Sequence, residues 1–285
     1  MNDFYSDTKT KPSHAMLEYA LGRTFGDEQQ DEDPTTLELC ERVAHLLGKE
    51  SAVFLPSGTM CNEIAITVQT SPGDEIICGR SSHIINFEGG APAAMSGVMI
   101  HPLDGKYGQF TEEDVRQALR PESRYTPISR MLCAEQTANL GGGAVWQLEK
   151  LDSVAQVAKN SGLSTHLDGA RLLNACVKTG ISAAHYSREY DSCWIDFTKG
   201  LGAPMGAVLA GSAEFIQAAW RVKQRIGGAM RQSGVIASYC LYALENNVER
   251  LAEDHALASR ISESLQDFSG IVNLLPVETN IIIAD

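Results

Sequence analysis

The chain has 285 residues, 44% of them hydrophobic, which is enough for one large domain and a smaller one around a sizeable buried core. Its formal net charge of −13 argues against a nucleic-acid backbone or an anionic membrane surface as the main partner, because both attract basic proteins; small molecules or other subunits fit better. The opening MNDFYSD lacks a basic start followed by an apolar stretch, and no run reaches the roughly 18 apolar residues of a membrane span, so the sequence reads as soluble and cytoplasmic.

Residues 33–48, DPTTLELCERVAHLLG, carry helix signals in order: Asp33 as the cap, Pro34 at the first helical position, apolar Leu37, Val43, Leu46 and Leu47, and Gly48 as the stop. Short β-rich runs follow at 52–56 (AVFLP), 75–79 (EIICG), 97–103 (GVMIHPL) and 130–135 (RMLCAE), separated by helix-like CNEIAITVQT and TEEDVRQAL. The alternation continues through 163–169 (LSTHLDG), 194–198 (WIDFT) and 207–211 (AVLAG), with LEKLDSVAQVAKNSG as an amphipathic helix. Nearly wholly apolar strands spaced by helices predict an α/β fold with a mostly parallel sheet covered on both faces. A helix-rich stretch from 232 to about 265 leads to VETNIIIAD, which reads as an apolar strand of an incomplete second domain. The expected division is an N-terminal arm at 1–32, a large domain at 33–245 and a partial C-terminal α+β domain at 246–285. Seven cysteines, scattered without a C-x-x-C pair, suggest neither a disulfide framework nor a zinc site.

In open α/β sheets ligands gather at the carboxyl ends of strands, and three stretches fall there. In LPSGTMCN a strand leads through Ser57, Gly58 and Thr59 into a helix whose N–H groups suit a phosphate; a plain helix cap has the same look. In HLDGAR, Asp168 ends a strand and Arg171 follows three positions on, which reads as a shared site or as a cap with a surface ion pair. In WIDFTKGLGAP, Lys199 stands at a strand end before a glycine-rich segment. A partly dry location lowers a lysine pKa and makes the neutral amine a nucleophile toward aldehydes, and the glycines suggest that something large approaches the backbone; a snorkelling structural lysine is the alternative. Together, a phosphate cradle, a carboxylate and an amine are what pyridoxal phosphate requires: an anchor, a partner that keeps the ring nitrogen protonated, and a Schiff-base lysine.

SDTKTKP, GDEQQDEDPTTLELCERVAHLLGKESAVFLPSGTMCN, HLDGARLLNA, TKGLGAPMGAVLAGS, GGAMRQSGVIAS and YALENNVERLAEDHALA resemble the threonine aldolase family of fold type I pyridoxal phosphate enzymes, from about residue 3 to 283. The resemblance implies a pyridoxal 5′-phosphate-dependent retro-aldol cleavage of L-threonine or L-allo-threonine to glycine and acetaldehyde. It implies a dimer of dimers with active sites at subunit interfaces. By the same likeness Lys199 forms the Schiff base, Asp168 pairs with the pyridine nitrogen, and Gly58 and Thr59 hold the phosphate. His83 stacks on the ring near the substrate hydroxyl, where it or a water it orients is the base; without the resemblance it reads as an ordinary loop histidine. Arg171 lies against the phenolate side, Ser6 binds the substrate carboxylate, and Arg231 helps from a neighbouring subunit.

Three departures bear on the substrate. Gln30 stands where the family has a tyrosine, Ala138 replaces a histidine in EQTAN, and Gln224 stands where related chains carry lysine. Family members also continue past TNIIIAD and supply from that tail an arginine for the substrate carboxylate. The expectation is therefore an incomplete C-terminal domain that exposes Ile281 to Ile283 and binds substrate weakly. Other readings are cleavage of 3-hydroxyaspartate or phenylserine, a β-elimination, or a catalytically impaired subunit.

Overall fold

The computed structural model describes residues 3–266, 268, 270–271 and 273–284. Strands β1 (Ser51–Leu55), β2 (Glu75–Gly79), β3 (Met99–Leu103), β4 (Ser129–Glu135), β5 (Ser164–Gly169), β6 (Ser192–Asp196) and β7 (Ala207–Gly211) form a seven-stranded sheet in the order β1-β7-β6-β5-β4-β2-β3. The β3, β2, β4, β5 and β6 neighbours pair in parallel, and β7 runs antiparallel to both β6 and β1. Each of the seven apolar runs read from the sequence holds one of these strands.

The helices are α1 (His14–Leu21), α2 (Pro34–Leu46), α3 (Gly58–Gln69), α4 (His83–Asn86), α5 (Glu112–Ala118), α6 (Leu148–Asn160), α7 (Leu172–Thr179), α8 (Ala183–Ser187), α9 (Ala213–Arg225), α10 (Gly234–Asn246) and α11 (Leu251–Leu265). Side chains alternate across a strand, so one apolar run feeds two cores. Val53, Leu55, Ile76, Cys78, Met131, Cys133, Trp194 and Leu209 pack with residues of α3 and α9. Their neighbours Phe54, Ile77, Leu132, Ala134, Cys193, Ile195 and Val208 pack on the other face with residues of α2, α6, α7 and α10. That two-sided burial is why these strands are apolar throughout. None of the described helices is long and apolar enough to cross a membrane.

Asp33 and Pro34 start α2 as expected, but Asp33 does more than cap it. Its fully buried carboxylate accepts from Thr36 N at 2.9 Å, Gly26 N at 3.0 Å and Gly234 N at 3.0 Å, and so ties the arm, α2 and α10 together. A Cβ on Gly234 would lie 2.2 Å from Asp33 Oδ1, so that close approach requires glycine.

The tail departs from the sequence reading. VETNIIIAD is not a sheet strand; it is an irregular segment with an isolated bridge between Leu274 and Ala284, and its last residue lies outside the described ones. Polar side chains dock it: Glu278 accepts from Val145 N at 3.0 Å and Thr279 donates to Gly143 O at 2.8 Å. Ile281 to Ile283 are partly buried rather than exposed, with Ile281 set against Gly143.

Replacing Asp33 with alanine leaves three buried amides without their acceptor and should cost about 3 kcal/mol or more. Asp33→Asn, which keeps one acceptor oxygen, should cost less. Urea denaturation of the two variants checks the order.

Candidate active site

The site forms where the parallel strands end. At β5, Leu167 enters one core while His166 and Asp168 face α3. There Asn62 meets them: its Nδ2 donates to Asp168 Oδ2 at 2.9 Å and to Glu88 Oε1 at 2.7 Å, and its Oδ1 accepts from Trp194 Nε1 at 2.7 Å. His166 Nε2 supplies the fourth bond at 3.1 Å, because its Nδ1 is occupied by Ser192 Oγ, which in turn accepts from Gln69. Burial pushes His166 down to about 3, so this ring is neutral.

Asp168 is only 4% exposed, and besides Asn62 its carboxylate accepts from Ala170 N at 3.1 Å. Burial raises its pKa; the Asn62 bond opposes that rise and the Glu88 charge adds to it. Among the described residues no lysine or arginine forms an ion pair with it.

Lys199 lies just past β6, in the turn that reverses the chain into antiparallel β7, so the turn remains at the same end of the sheet. The amine is not in an unpartnered dry space. It is ion-paired with Asp196, whose other oxygen accepts from Thr198 N and Thr198 Oγ1, both at 2.7 Å, and it lies 5.7 Å from the Trp194 ring centre. What approaches the neighbouring glycines belongs to the same chain: a Cβ on Gly202 would meet Thr10 at 3.3 Å and one on Gly200 would meet Leu251 at 2.7 Å. Gly202 also has a positive φ of 81°.

His83 starts α4. Its Nδ1 lies 2.7 Å from Glu88 Oε1, and its backbone N–H donates to Glu135 Oε2 at 2.7 Å. Burial opposes the charged ring, but the Glu88 hydrogen bond and the Asp168, Glu88 and Glu135 charges outweigh it and raise the pKa above 6.5. Burial and the Asp168 charge push Glu135 up to about 7 against the pull of the Asn139 and His83 N–H groups.

Arg171 is 7% exposed and holds Asp7 in a two-pronged contact, Nε to Oδ2 at 2.8 Å and Nη2 to Oδ1 at 2.7 Å. This is a buried pair, not the surface pair that the sequence also allowed. Burial would raise Asp7, but Arg171, Asn280 and the Lys199 charge bring it below the usual carboxylate range. Asn139 Oδ1 also accepts from Arg171 at 3.2 Å, and Asn280 Nδ2 donates to Asp7 at 2.9 Å, which brings arm, EQTAN loop and tail to one place. Ser6 precedes Asp7 and caps a short 3₁₀ turn by accepting from Thr8 N at 3.2 Å.

Gly58 and Thr59 open α3 behind the Ser57 cap, where first-turn N–H groups have no intrahelical acceptor. A Cβ on Gly58 would fall 2.2 Å from the Trp194 ring, so helix–strand packing alone already requires glycine here. Arg231 does not join the cluster; it is 61% exposed and pairs with Asp27 at 2.7 Å. Gln30 and Gln224 are exposed, and Ala138 is buried against Gly108 and Gly141.

The model of the beta-eliminating lyase family matches residues 3–285. The chain belongs to that family. It is 38% identical over 290 residues to low-specificity L-threonine aldolase 1 of Arabidopsis thaliana, covering 99% of this chain and 80% of the relative. It is 37% identical over 268 residues to the low specificity L-threonine aldolase of Escherichia coli K12, covering 94% and 80%. Among solved structures it resembles a putative L-allo-threonine aldolase from Listeria monocytogenes, with a TM-score of 0.80 at 26% identity over 97% of this chain and 79% of that one. The architecture is that of fold type I pyridoxal phosphate enzymes.

Sequence reasoning missed Asn62, Glu88, Glu135, Asp196, Asp7 and Asn139. Two had a local signal: Asp196 precedes Lys199 by three positions, and Asp7 adjoins Ser6. Asn62→Ala should leave several buried donors and acceptors unpaired at about 1–3 kcal/mol each. A total loss of at least about 3 kcal/mol, read by urea denaturation, is the expected result.

Proposed function

We propose that the chain is a pyridoxal 5′-phosphate-dependent aldehyde-lyase that cleaves L-threonine or L-allo-threonine to glycine and acetaldehyde. The observation that carries this reading is Asp168, a buried carboxylate with no cationic partner among the described residues, on the strand beside the one that leads into Lys199. A protonated pyridine nitrogen is the partner such a carboxylate fits. The rest of the donor set also suits the cofactor, with an amine at Lys199 and the first turn of α3 at Gly58 and Thr59 for the phosphate. The match to threonine aldolases over nearly the whole chain supports the same reaction class.

When bound, the cofactor supplies an electrophilic aldehyde and a ring that draws electrons from the Cα of an attached amino acid. Asp168 would hold the proton on the ring nitrogen, with Asn62 keeping that carboxylate aimed. Lys199 would supply the amine that binds the cofactor, with Asp196 as its carboxylate partner. Arg171 would lie against the phenolate side and, with Ser6, serve the substrate carboxylate. The exposed Arg231 serves a neighbouring copy's site in a homo-oligomer. His83 would lie over the ring and accept the β-hydroxyl proton at Nε2, since its Nδ1 faces Glu88. Loss of that proton would let the Cα–Cβ bond part into the free aldehyde and an electron pair left at Cα, and a proton equivalent to the one taken from the hydroxyl would add there to give glycine.

Borohydride reduction of the protein with added cofactor, followed by peptide mapping, should place the tag on Lys199; a tag on another lysine overturns the assignment. Lys199→Ala should abolish threonine cleavage. Because it strips Asp196 of its cation it should also cost about 2 kcal/mol, and adding Asp196→Asn should restore stability but not turnover.

The neutral His83 ring is the base and its pKa is raised, so kcat/KM should fall with decreasing pH through an ionisation above 6.5. His83→Asn should lower kcat by about 10²–10⁴-fold and remove that limb of the profile.

A further inference from the structure

Behind His83 lies a pair of carboxyl groups that the reaction leaves unexplained. Glu63, on α3 beside Asn62, is 2% exposed, and Glu88 is 6% exposed. Glu88 is the titratable neighbour that Glu63 faces. Glu88 Oε1 accepts from Asn62 and lies against His83 Nδ1, each at 2.7 Å. Glu88 Oε2 and both Glu63 oxygens are buried with no donor of their own. Among the described residues neither glutamate is ion-paired to a lysine or arginine. Two buried carboxylates cannot face each other as anions without a cation, and a single proton between them satisfies Glu88 Oε2 and one of the Glu63 oxygens.

We propose that Glu63 is a positioning residue, held as a neutral acid that donates its proton to Glu88, so that Glu88 keeps the His83 proton on Nδ1 and leaves Nε2 free to accept. Filling Oε2 matters because a buried oxygen left without a donor costs free energy and leaves the carboxylate that holds the ring free to turn. The importance of Nε2 rests on the aldolase reading above, whereas the arrangement of the three side chains does not. The titratable groups facing the trio are Glu135 and Cys133 on β4, Asp168 on β5 and Cys61 on α3. None of these supplies a cation, so the proton has to come from Glu63. Burial and the Glu88 charge push Glu63 up to about 8. A carboxyl raised from 4.5 stabilises the fold fully below 4.5, and that contribution is lost as pH rises through about 8.

The test compares wild type, Glu63→Gln, Glu63→Leu and Glu88→Gln as purified holoprotein. Nitrogen-15 NMR of labelled histidine, assigned with His83→Asn, reads the tautomer and titration of His83, and thermal midpoints across the ionisation near 8 read the Glu63 proton. Expected are an Nδ1–H ring in wild type and a midpoint that falls with rising pH less steeply in Glu63→Gln than in wild type. Glu63→Gln retains an amide donor and should keep the His83 titration in place, while Glu63→Leu and Glu88→Gln should move it, with the acid limb of kcat/KM, to lower pH. A wild-type ring protonated on Nε2 overturns the proposal. So does a Glu63→Gln midpoint as pH-dependent as wild type, or an identical His83 titration in the Gln and Leu variants. Should Glu63→Leu fail to fold, the Glu63→Gln midpoints still decide. NMR and midpoints need no turnover, so a protein inactive on threonine but with the expected tautomer and slopes refutes the substrate reading alone.

Discussion

The side-chain amide of Asn62 is the joint on which the site depends. Its four hydrogen bonds reach the ends of β5 and β6 and the Glu88 segment from one position on α3. An amide offers two donors and two lone pairs, and all are used, so the group has a single favourable orientation. That orientation needs His166 to be neutral and protonated on Nε2, which burial and Ser192 ensure. One fully satisfied buried amide thus fixes the direction of Asp168 and, through Glu88, of His83. A carboxylate held by a single contact could turn away, and His83 would lose its fixed neighbour with it.

The sheet's topology explains why these groups meet. Parallel strands place their carboxyl ends together, so residues remote in sequence, such as Glu135, Asp168 and Asp196, converge without local signals. The antiparallel β7 adds a device of its own. A parallel successor to β6 would carry the chain away through a crossover, whereas the reversal retains Lys199 at the same edge. The arm then crosses this turn at Thr10, and Arg171 secures it through Asp7.

What was legible in the sequence had periodic or local causes. The seven strands were visible because burial on both faces leaves no polar alternation to hide them, and α2 because Asp33 and Pro34 carry its start. Lys199, Asp168 and the α3 start were visible because strand-end chemistry lies within a few residues of an apolar run. The partners of those groups were not, since Asp7 lies 164 residues from Arg171 and Asn62 lies 106 from Asp168. The tail was misread for a physical reason. Its isoleucines look like a strand, but Glu278, Thr279 and Asn280 are satisfied by the 143–145 loop and by Asp7, and those polar contacts hold the backbone irregular. The glycines after Lys199 were read as room for a ligand, and it is the chain's own arm and α11 that occupy it.

The charges around this edge are unevenly distributed, and the asymmetry points in a definite direction. Toward the arm every charge has a partner, Arg171 with Asp7 and Lys199 with Asp196. Toward α3 and β4 there is an excess of acid, with Asp168, Glu135, Glu88 and Glu63 sharing His83 as the group that can carry positive charge. Burial first, and then the neighbouring carboxylate charges, raise the proton affinities of Asp168, Glu135 and Glu63. A ligand that presents a cationic ring edge to Asp168 relieves it, provided its own anionic end lies elsewhere. The first turn of α3 offers such a place at Gly58 and Thr59, where unpaired N–H groups and the helix dipole favour negative charge. Opposite charges at the two ends of one flat aromatic molecule therefore match opposite preferences at two ends of one edge of the sheet. A simple anion or a simple cation would meet only one of these two preferences.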